Sequence, residues 1–269
     1  MKANTKALAR GAAALTLAAG LLTAGACGAS SESGNARGGD AGAAEEIPAY
    51  APEVAKEPAE EYAPEIDPAN FVERVDNPYF PLEPGTTFVF EGETEDGVER
   101  VEDYVTRDTK EILGVTCIVL RDRVTIDGEL VEETLDWFAQ DTEGNVWYFG
   151  EETKDYEDGE VVSTAGSFEA GKDGAQPGII MEADPQVGDS YRQESYEGKA
   201  VDMAEVLSLS ERVSVPHGSF DNVLLTKDWN PLEPEVLEHK YYAPGVGPIG
   251  SVKVVGGPER VDLVEIRTE

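Results

Sequence analysis

The chain has 269 residues and a formal charge of -34, with 55 acidic side chains against 21 basic ones. That balance argues against nucleic acid and against simple binding to an anionic lipid surface, because both would repel the protein. It leaves a well-solvated extracellular surface, cationic partners or divalent ions.

In chain order, the first element is an export signal. Lys2, Lys6 and Arg10 precede an uncharged apolar run from Gly11 to Leu22, and small residues follow up to Ala26. This is the three-part order of a secretory signal peptide over 1–26. The apolar run, at about 12 residues, is too short to span a bilayer as a helix. Ala24-Gly25-Ala26-Cys27 resembles a lipobox, in which the cysteine after the cut receives lipid. It departs from that motif at Ala24, where leucine is usual, and it also reads as an ordinary signal-peptidase site. Lipidation of Cys27 is the favoured reading and free secretion its rival. The expected address is the extracytoplasmic face of the cell membrane, with the membrane as a partner through the anchor.

From residue 27 to 66 the composition shifts to Gly, Ser, Ala, Pro and Glu. So little apolar surface cannot offset the entropy of ordering a backbone, which predicts a disordered acidic tether. As a random coil of about 39 residues it would span roughly 35 Å. Within it, Tyr50-Ala51-Pro52-Glu53 recurs as Tyr62-Ala63-Pro64-Glu65.

From residue 67 to 269 short β-branched and aromatic runs alternate with Asp-Gly and Glu-Gly turns. Asp127-Gly128 and Asp158-Gly159 each sit between strand-like runs. Such pairs favour tight hairpins, since Gly accepts positive φ and Asp tolerates it. Helical periodicity is nearly absent. The predicted fold class is all-β and mostly antiparallel.

Three landmarks repeat at offsets of 103, 104 and 104 residues: Gly85 with Gly188, Leu113-Gly114 with His217-Gly218, and Trp137-Phe138-Ala139 with Tyr241-Tyr242-Ala243. They predict two similar β-meanders, about 81–164 and 185–269. These would form a curved sheet, a half-barrel or a sandwich. The intervening 165–184, glycine-rich around Phe168, is expected to be a linker or a lid.

Adjacent aromatics stand out, and Trp147-Tyr148-Phe149 cannot all face one core, since neighbours on a strand point to opposite faces. Two readings stay open. One is a groove for an apolar ligand or partner, built from Trp137, Trp147, Phe149, Phe168 and Tyr242. The other is cross-strand pairing over a two-sided core. Cys117 lies in an apolar β-type run with no local base, which suits a buried thiol rather than a nucleophile. His217 and His239 have no ligand-spaced partners, so no metal site is expected. The acidic turns at 141–145 and 155–160 bring oxygens together as calcium needs, but neither matches the full calcium loop. No cofactor motif and no catalytic triad are visible.

Trp137-Phe138-Ala139-Gln140-Asp141, Gly144-Asn145-Val146-Trp147-Tyr148-Phe149-Gly150-Glu151 and Tyr241-Tyr242-Ala243-Pro244-Gly245-Val246-Gly247 together resemble the signature of a group of uncharacterised secreted or lipid-anchored bacterial β-rich proteins. The likeness covers most of 70–269 and implies no activity. In shape alone, a lipid-anchored curved sheet is similar to the LolA/LolB carriers, and shape does not give function. The expected role is a non-enzymatic, membrane-tethered binding module for an apolar ligand or cell-envelope component. The alternative is an interaction lipoprotein that binds another envelope protein through its acidic surface.

Overall fold

The computed structural model describes residues 62–257 and 259–269. The signal peptide, Cys27 and the tether up to residue 61 lie outside the described residues.

The first described residues are already packed against the body. The Tyr62 hydroxyl donates to the Pro177 carbonyl at 3.0 Å, and the Arg192 guanidinium sits 5.6 Å from its ring centre. Ile66 packs against a buried apolar cluster. Tyr62 and Ile66, expected to belong to the tether, instead pack against the body and bury surface that a free tether would leave in water. A short 3-10 turn, Pro68–Asn70, follows, then strand β1 (Phe71–Val72).

Two meanders build the wall. The first is β2 (Thr86–Thr94), β3 (Gly97–Ile112), β4 (Val115–Ile126), β5 (Glu129–Asp141) and β6 (Val146–Glu157). Five short strands follow: β7 (Glu160–Ser163), β8 (Phe168–Glu169), β9 (Gln176–Met181), β10 (Ser190–Arg192) and β11 (Glu194–Ser195). The second meander is β12 (Met203–Val215), β13 (Gly218–Trp229), β14 (Leu237–Ala243), β15 (Gly247–Val255) and β16 (Arg260–Thr268). The predicted Asp-Gly hairpins form: Asp127 and Gly128 have φ of 49° and 86°, and Asp158 and Gly159 have 53° and 78°.

Antiparallel pairing runs continuously from β10 through β12–β16, then β2–β6, β9 and β11. The two ends of this sheet, β10 and β11, are neighbours in the chain with only Gln193 between them. The sheet therefore curls into a nearly closed barrel rather than splitting into a sandwich. Where the ends meet, β9 comes so close that a Cβ on Gly178 would lie 2.1 Å from the Gln193 carbonyl oxygen. The 103–104-residue offset recurs in this wall: Phe138 and Tyr242 both point inward, and Gly85 and Gly188 donate to Val105 and Val206 at 2.8 and 2.9 Å. Residues 165–184 do not form a lid. They contribute β8 and β9 to the wall, with Gly150 paired to Glu169 and Tyr148 to Gly178.

The barrel is capped instead by residues 75–82. Val75, Phe80 and Leu82 enter the interior core, and Phe80 packs edge-on against Phe138 at 5.2 Å. Gln140, buried in the wall, holds this cap. Its carbonyl accepts from the backbone N–H of Asp76 and of Asn77, each at 2.8 Å, and its amide donates to Asp76 Oδ1 at 2.8 Å. Gln140→Ala removes all three bonds, each worth about 1 kcal/mol net. Amide hydrogen exchange at 75–82 should speed at least tenfold, while exchange in β3–β5 stays unchanged.

A bulge in β6 decides which side chains face inward. Phe138 pairs with Tyr148, but Trp137 pairs with Gly150, which leaves Phe149 as the extra residue. Tyr148 and Glu151 can therefore share the interior face although three residues apart, which regular alternation forbids. Gly150 has φ of 129°, and a Cβ there would lie 2.2 Å from the Phe168 carbonyl oxygen. Gly150→Ala should cost roughly 3 kcal/mol from strain and the lost β8 pairing. Gly159→Ala, where a Cβ meets nothing within 4 Å, should cost only about 1 kcal/mol. Denaturant midpoints of the two variants make the comparison.

Candidate functional site

The inward positions of the long strands are not uniformly apolar. On β3 they read Glu99, Val101, Asp103, Val105, all buried. On β4 they read Ile118, Leu120, Asp122, Val124, and on β5 Phe138, Asp136, Thr134. The second meander adds Leu224, Thr226 and Asp228 on β13, and Tyr242 and Lys240 on β14. Below an apolar layer under the cap lies a layer of buried acids with Lys240 among them.

The geometry of this layer is specific. Asp103 and Asp122 face each other across β3 and β4, between the pairs Tyr104–Arg121 and Val101–Val124. Burial pushes Asp103 up to about 6; burial and the Asp103 charge push Asp122 well above the usual carboxylate range. Oδ1 of Asp103 and Oδ1 of Asp122 accept no hydrogen bond.

Beside them, the Tyr148 hydroxyl lies 2.7 Å from Asp136 Oδ1 and 2.8 Å from Glu151 Oε2. A phenol has one proton to give, so one of these carboxyls keeps its own and donates back to the phenol oxygen. Burial pushes Glu151 up to about 7; burial and the Glu151 charge push Asp136 well above the usual range. Burial likewise raises Glu194 and Asp202. The Asp202 charge adds to the rise of Glu194, and the Lys240 charge opposes that of Asp202.

The Lys240 ammonium sits 3.3 Å from Asp228 Oδ2, and both side chains are buried. Burial works against its charge, but Asp228, Glu238 and Asp202 outweigh burial and hold the ammonium protonated. Thr226 donates its hydroxyl to Asp228 Oδ1.

Between the apolar layer and the acids lies a cavity of about 30 Å³. Phe80, Leu82, Phe88, Leu120, Phe138 and Tyr242 form its walls, and Asp103, Asp122, Asp136 and Lys240 its floor. That is room for about two water molecules.

The aromatic residues predicted to make one groove are divided between two faces. Trp137 and Phe149 are buried in an outer cluster with Cys117 and Val119, and Trp147 packs against it half-buried. The 66–72 segment covers this cluster: Phe71 lies 6.3 Å from Trp147 and 5.6 Å from Phe149. Lys110 sits 3.1 Å over the Trp137 ring, and the Trp147 indole donates to Asp141 Oδ2 at 2.8 Å. Phe168 and Tyr242 lie inside, Phe168 edge-on to Tyr148 at 5.6 Å. Of the five, Tyr242 alone lines the cavity. The bulge at Phe149 and the parity of β5 and β6 separate them.

The other sequence candidates have structural roles. Asp141 Oδ1 accepts from the backbone N–H of Glu143, Gly144 and Asn145 at 2.8–2.9 Å, so this acidic turn is knotted onto itself. Among the described residues no three His, Cys, Asp or Glu side chains are grouped as a metal would need. Cys117 is buried, and burial pushes its thiol up to about 12. His217 stacks on Phe220 at 6.5 Å, and burial lowers His239.

Sequence reasoning missed Asp103, Asp122, Asp136 and Lys240. Their signal is parity. Asp103 and Asp122 stand where period-2 alternation demands an apolar residue, between Val101 and Val105 and between Leu120 and Val124.

No protein-family model matches the chain, and no curated protein sequence matches it. Two solved structures are similar in part. One is a protein described as exported, with a YmcC-like fold, from Bacteroides fragilis. It is 15% identical, with a TM-score of 0.41, over 71% of this chain and 99% of that one. The other is described as a lipoprotein from Parabacteroides distasonis, also 15% identical, with a TM-score of 0.33, over 70% of this chain and 98% of that one.

Proposed function

We propose that the protein is an exported lipoprotein, anchored through Cys27 on the extracytoplasmic face of the cell membrane, and that its barrel is a non-enzymatic binding module. The anchor rests on the signal-peptide order of 1–26 and the cysteine that follows it. The binding role rests on one observation: an interior cavity with apolar walls and a floor of buried ionisable side chains, Asp103, Asp122, Asp136 and Lys240. Pockets with apolar walls and a few convergent polar groups are the usual form of a ligand site. A ligand larger than two waters enters when the 75–82 cap moves out, and the Gln140 clamp sets the cost of that motion.

The test is native mass spectrometry on the mature protein extracted gently from its own host, compared with the denatured spectrum. The expected result is a mass of several hundred daltons that is lost on denaturation. A clean apo mass overturns the ligand-binding reading and moves the weight to a protein partner on the acidic surface. Such a partner should bind more weakly as salt rises, because exposed charges are screened within about 8–10 Å at physiological ionic strength. The denatured spectrum reads the anchor: a diacylglycerol-sized increment on Cys27 is expected, and its absence means free secretion.

A further inference from the structure

We infer that Tyr50-Ala51-Pro52-Glu53-Val54 is a second docking peptide for the outer wall of the barrel, able to take the seat that Tyr62-Ala63-Pro64-Glu65-Ile66 holds beside the seam of the sheet. Residues 50–54 lie outside the described residues; the structure shows the seat through the downstream copy.

In that copy every second side chain meets the barrel. Tyr62, Pro64 and Ile66 are half-buried, and Ala63 and Glu65 between them are exposed. The Tyr62 hydroxyl donates to the Pro177 carbonyl on β9, and the Arg192 guanidinium on β10 sits 5.6 Å from its ring centre. Tyr62 thus touches a strand on each side of the seam. Ile66 packs against the outer cluster of Trp137 and Phe149. The upstream copy repeats the three wall-facing residues at the same spacing, as Tyr50, Pro52 and Val54, and the outward Ala51 and Glu53 as well. Alanine, proline and glutamate are common in this stretch and recur by composition alone. Tyrosine and branched aliphatics are not: Tyr50 is the one aromatic residue between 28 and 61, and Val54 is one of two large aliphatic ones, with Ile47.

The two copies compete as parts of one chain. Phe71, seated beside Trp147 and Phe149, fixes the chain beyond the site. Tyr50 is 21 residues from that point and Tyr62 is 9, and the longer excursion costs a factor of about 3.5 in the equilibrium. The methylene that Val54 lacks costs a further factor of about 4. The upstream copy should therefore hold the seat in roughly one molecule in fifteen, and gain it when the downstream copy is removed. This docking does not depend on lipidation. With Cys27 anchored as proposed above, the exchange shortens the chain between anchor and barrel by twelve residues, about 40 Å when fully extended, and so gives the barrel two distances from the membrane.

The experiment nitrates the mature protein with tetranitromethane and reads Tyr50 and Tyr62 separately by peptide mass spectrometry. Nitration attacks the phenolate, so a seated, hydrogen-bonded tyrosine reacts slowly. In the parent, Tyr62 should react at least tenfold more slowly than Tyr50. In Y62A/I66A, Tyr50 should slow at least threefold, and Arg192→Ala in that background should restore its parent rate. A Tyr50 rate that is the same in the parent and in Y62A/I66A overturns the inference, and so does slowing that survives Arg192→Ala, because the seat would then be elsewhere. If Tyr62 reacts as fast as Tyr50 in the parent, the seat itself is not held and the inference falls with it. If the circular dichroism melt shows that Y62A/I66A does not fold, Y62F/I66V weakens the downstream copy in place by one hydrogen bond and one methylene, and Tyr50 should slow about twofold; an unchanged rate there overturns the inference equally.

Discussion

Replacing Lys240 with methionine lowers the stability of the barrel by roughly 3–5 kcal/mol at neutral pH, the usual cost of removing one partner from a buried ion pair. Methionine keeps the length and apolar stem of the side chain, so the loss reports charge rather than volume. The ammonium lies 3.3 Å from Asp228 and also faces Asp202 and Glu238. Without it, the buried Asp228 carboxylate is left among other acids with no counter-charge beside it. Asp228→Asn in the Lys240→Met background should return part of the stability, because the uncompensated charge is gone. Denaturant midpoints of the parent and the two variants read these effects. A loss below about 1 kcal/mol at neutral pH would mean that water screens this layer, as at an exposed pair.

The second large effect is an inverted pH dependence. Both carboxylate oxygens of Glu99 are buried without hydrogen-bond partners. Burial, with the Glu259, Glu238 and Glu132 charges, pushes it up to about 8 against an ordinary value of 4.5. Burial, then the Glu151 and Asp155 charges, push Glu132 to about 8 as well. Glu151 at about 7 and Asp103 at about 6 add to the set. Between pH 4.5 and 8 Glu99 and Glu132 are ionised in the unfolded chain but still protonated in the fold; for Glu151 the window closes near 7 and for Asp103 near 6. In that window unfolding releases the protons that the fold still holds, so raising the pH favours unfolding; above about 8 both states are ionised and the loss stops. Glu102 and Glu152, held low by hydrogen bonds from Arg100 and Lys154, pull the other way, but they are solvent-exposed pairs and contribute little.

A tenfold difference in proton affinity between fold and unfolded chain corresponds to about 1.4 kcal/mol, so the buried set together amounts to several kcal/mol. In a chain of this size the melting temperature should fall by on the order of 10 °C between pH 5.5 and pH 8.5. Most acidic proteins would gain or hold stability over the same span. Glu99→Gln replaces the protonated carboxyl with a neutral isostere. It should flatten the upper part of the profile while leaving stability at pH 5.5 within about 1 kcal/mol of the parent. A melting temperature that rises with pH would show that these acids are ionised in the folded chain.

The hairpins were legible because their determinants are local. Asp127-Gly128 and Asp158-Gly159 dictate tight turns through φ preferences that hold wherever the pair occurs. The strands around them, β4 with β5 and β6 with β7, follow from that. The 104-residue offset was legible for a similar reason, since a turn or an inward aromatic recurs wherever the strand plan recurs. The site was partly legible. Asp122 in Val119-Leu120-Arg121-Asp122-Arg123-Val124 stands on the apolar face by simple alternation, yet among 55 acidic residues it reads as one more charge on a solvated surface. The inference needed the parity of β3, β4 and β5 together, and only the pairing register aligns Asp103 with Asp122.

Sequence by itself determined the all-β class and the positions of the turns, because composition and local backbone preference are enough to specify both. Tertiary structure decided the rest. Closure of the sheet depends on β10 and β11 meeting at Gln193, a contact between segments that reach opposite edges of the sheet. The cap at 75–82 depends on Gln140, more than 60 residues away. The bulge at Phe149 puts Glu151 on the interior face with Tyr148. The raised proton affinity of Asp103 and Asp122 depends on burial and proximity, which arise only when distant strands pair and exclude water.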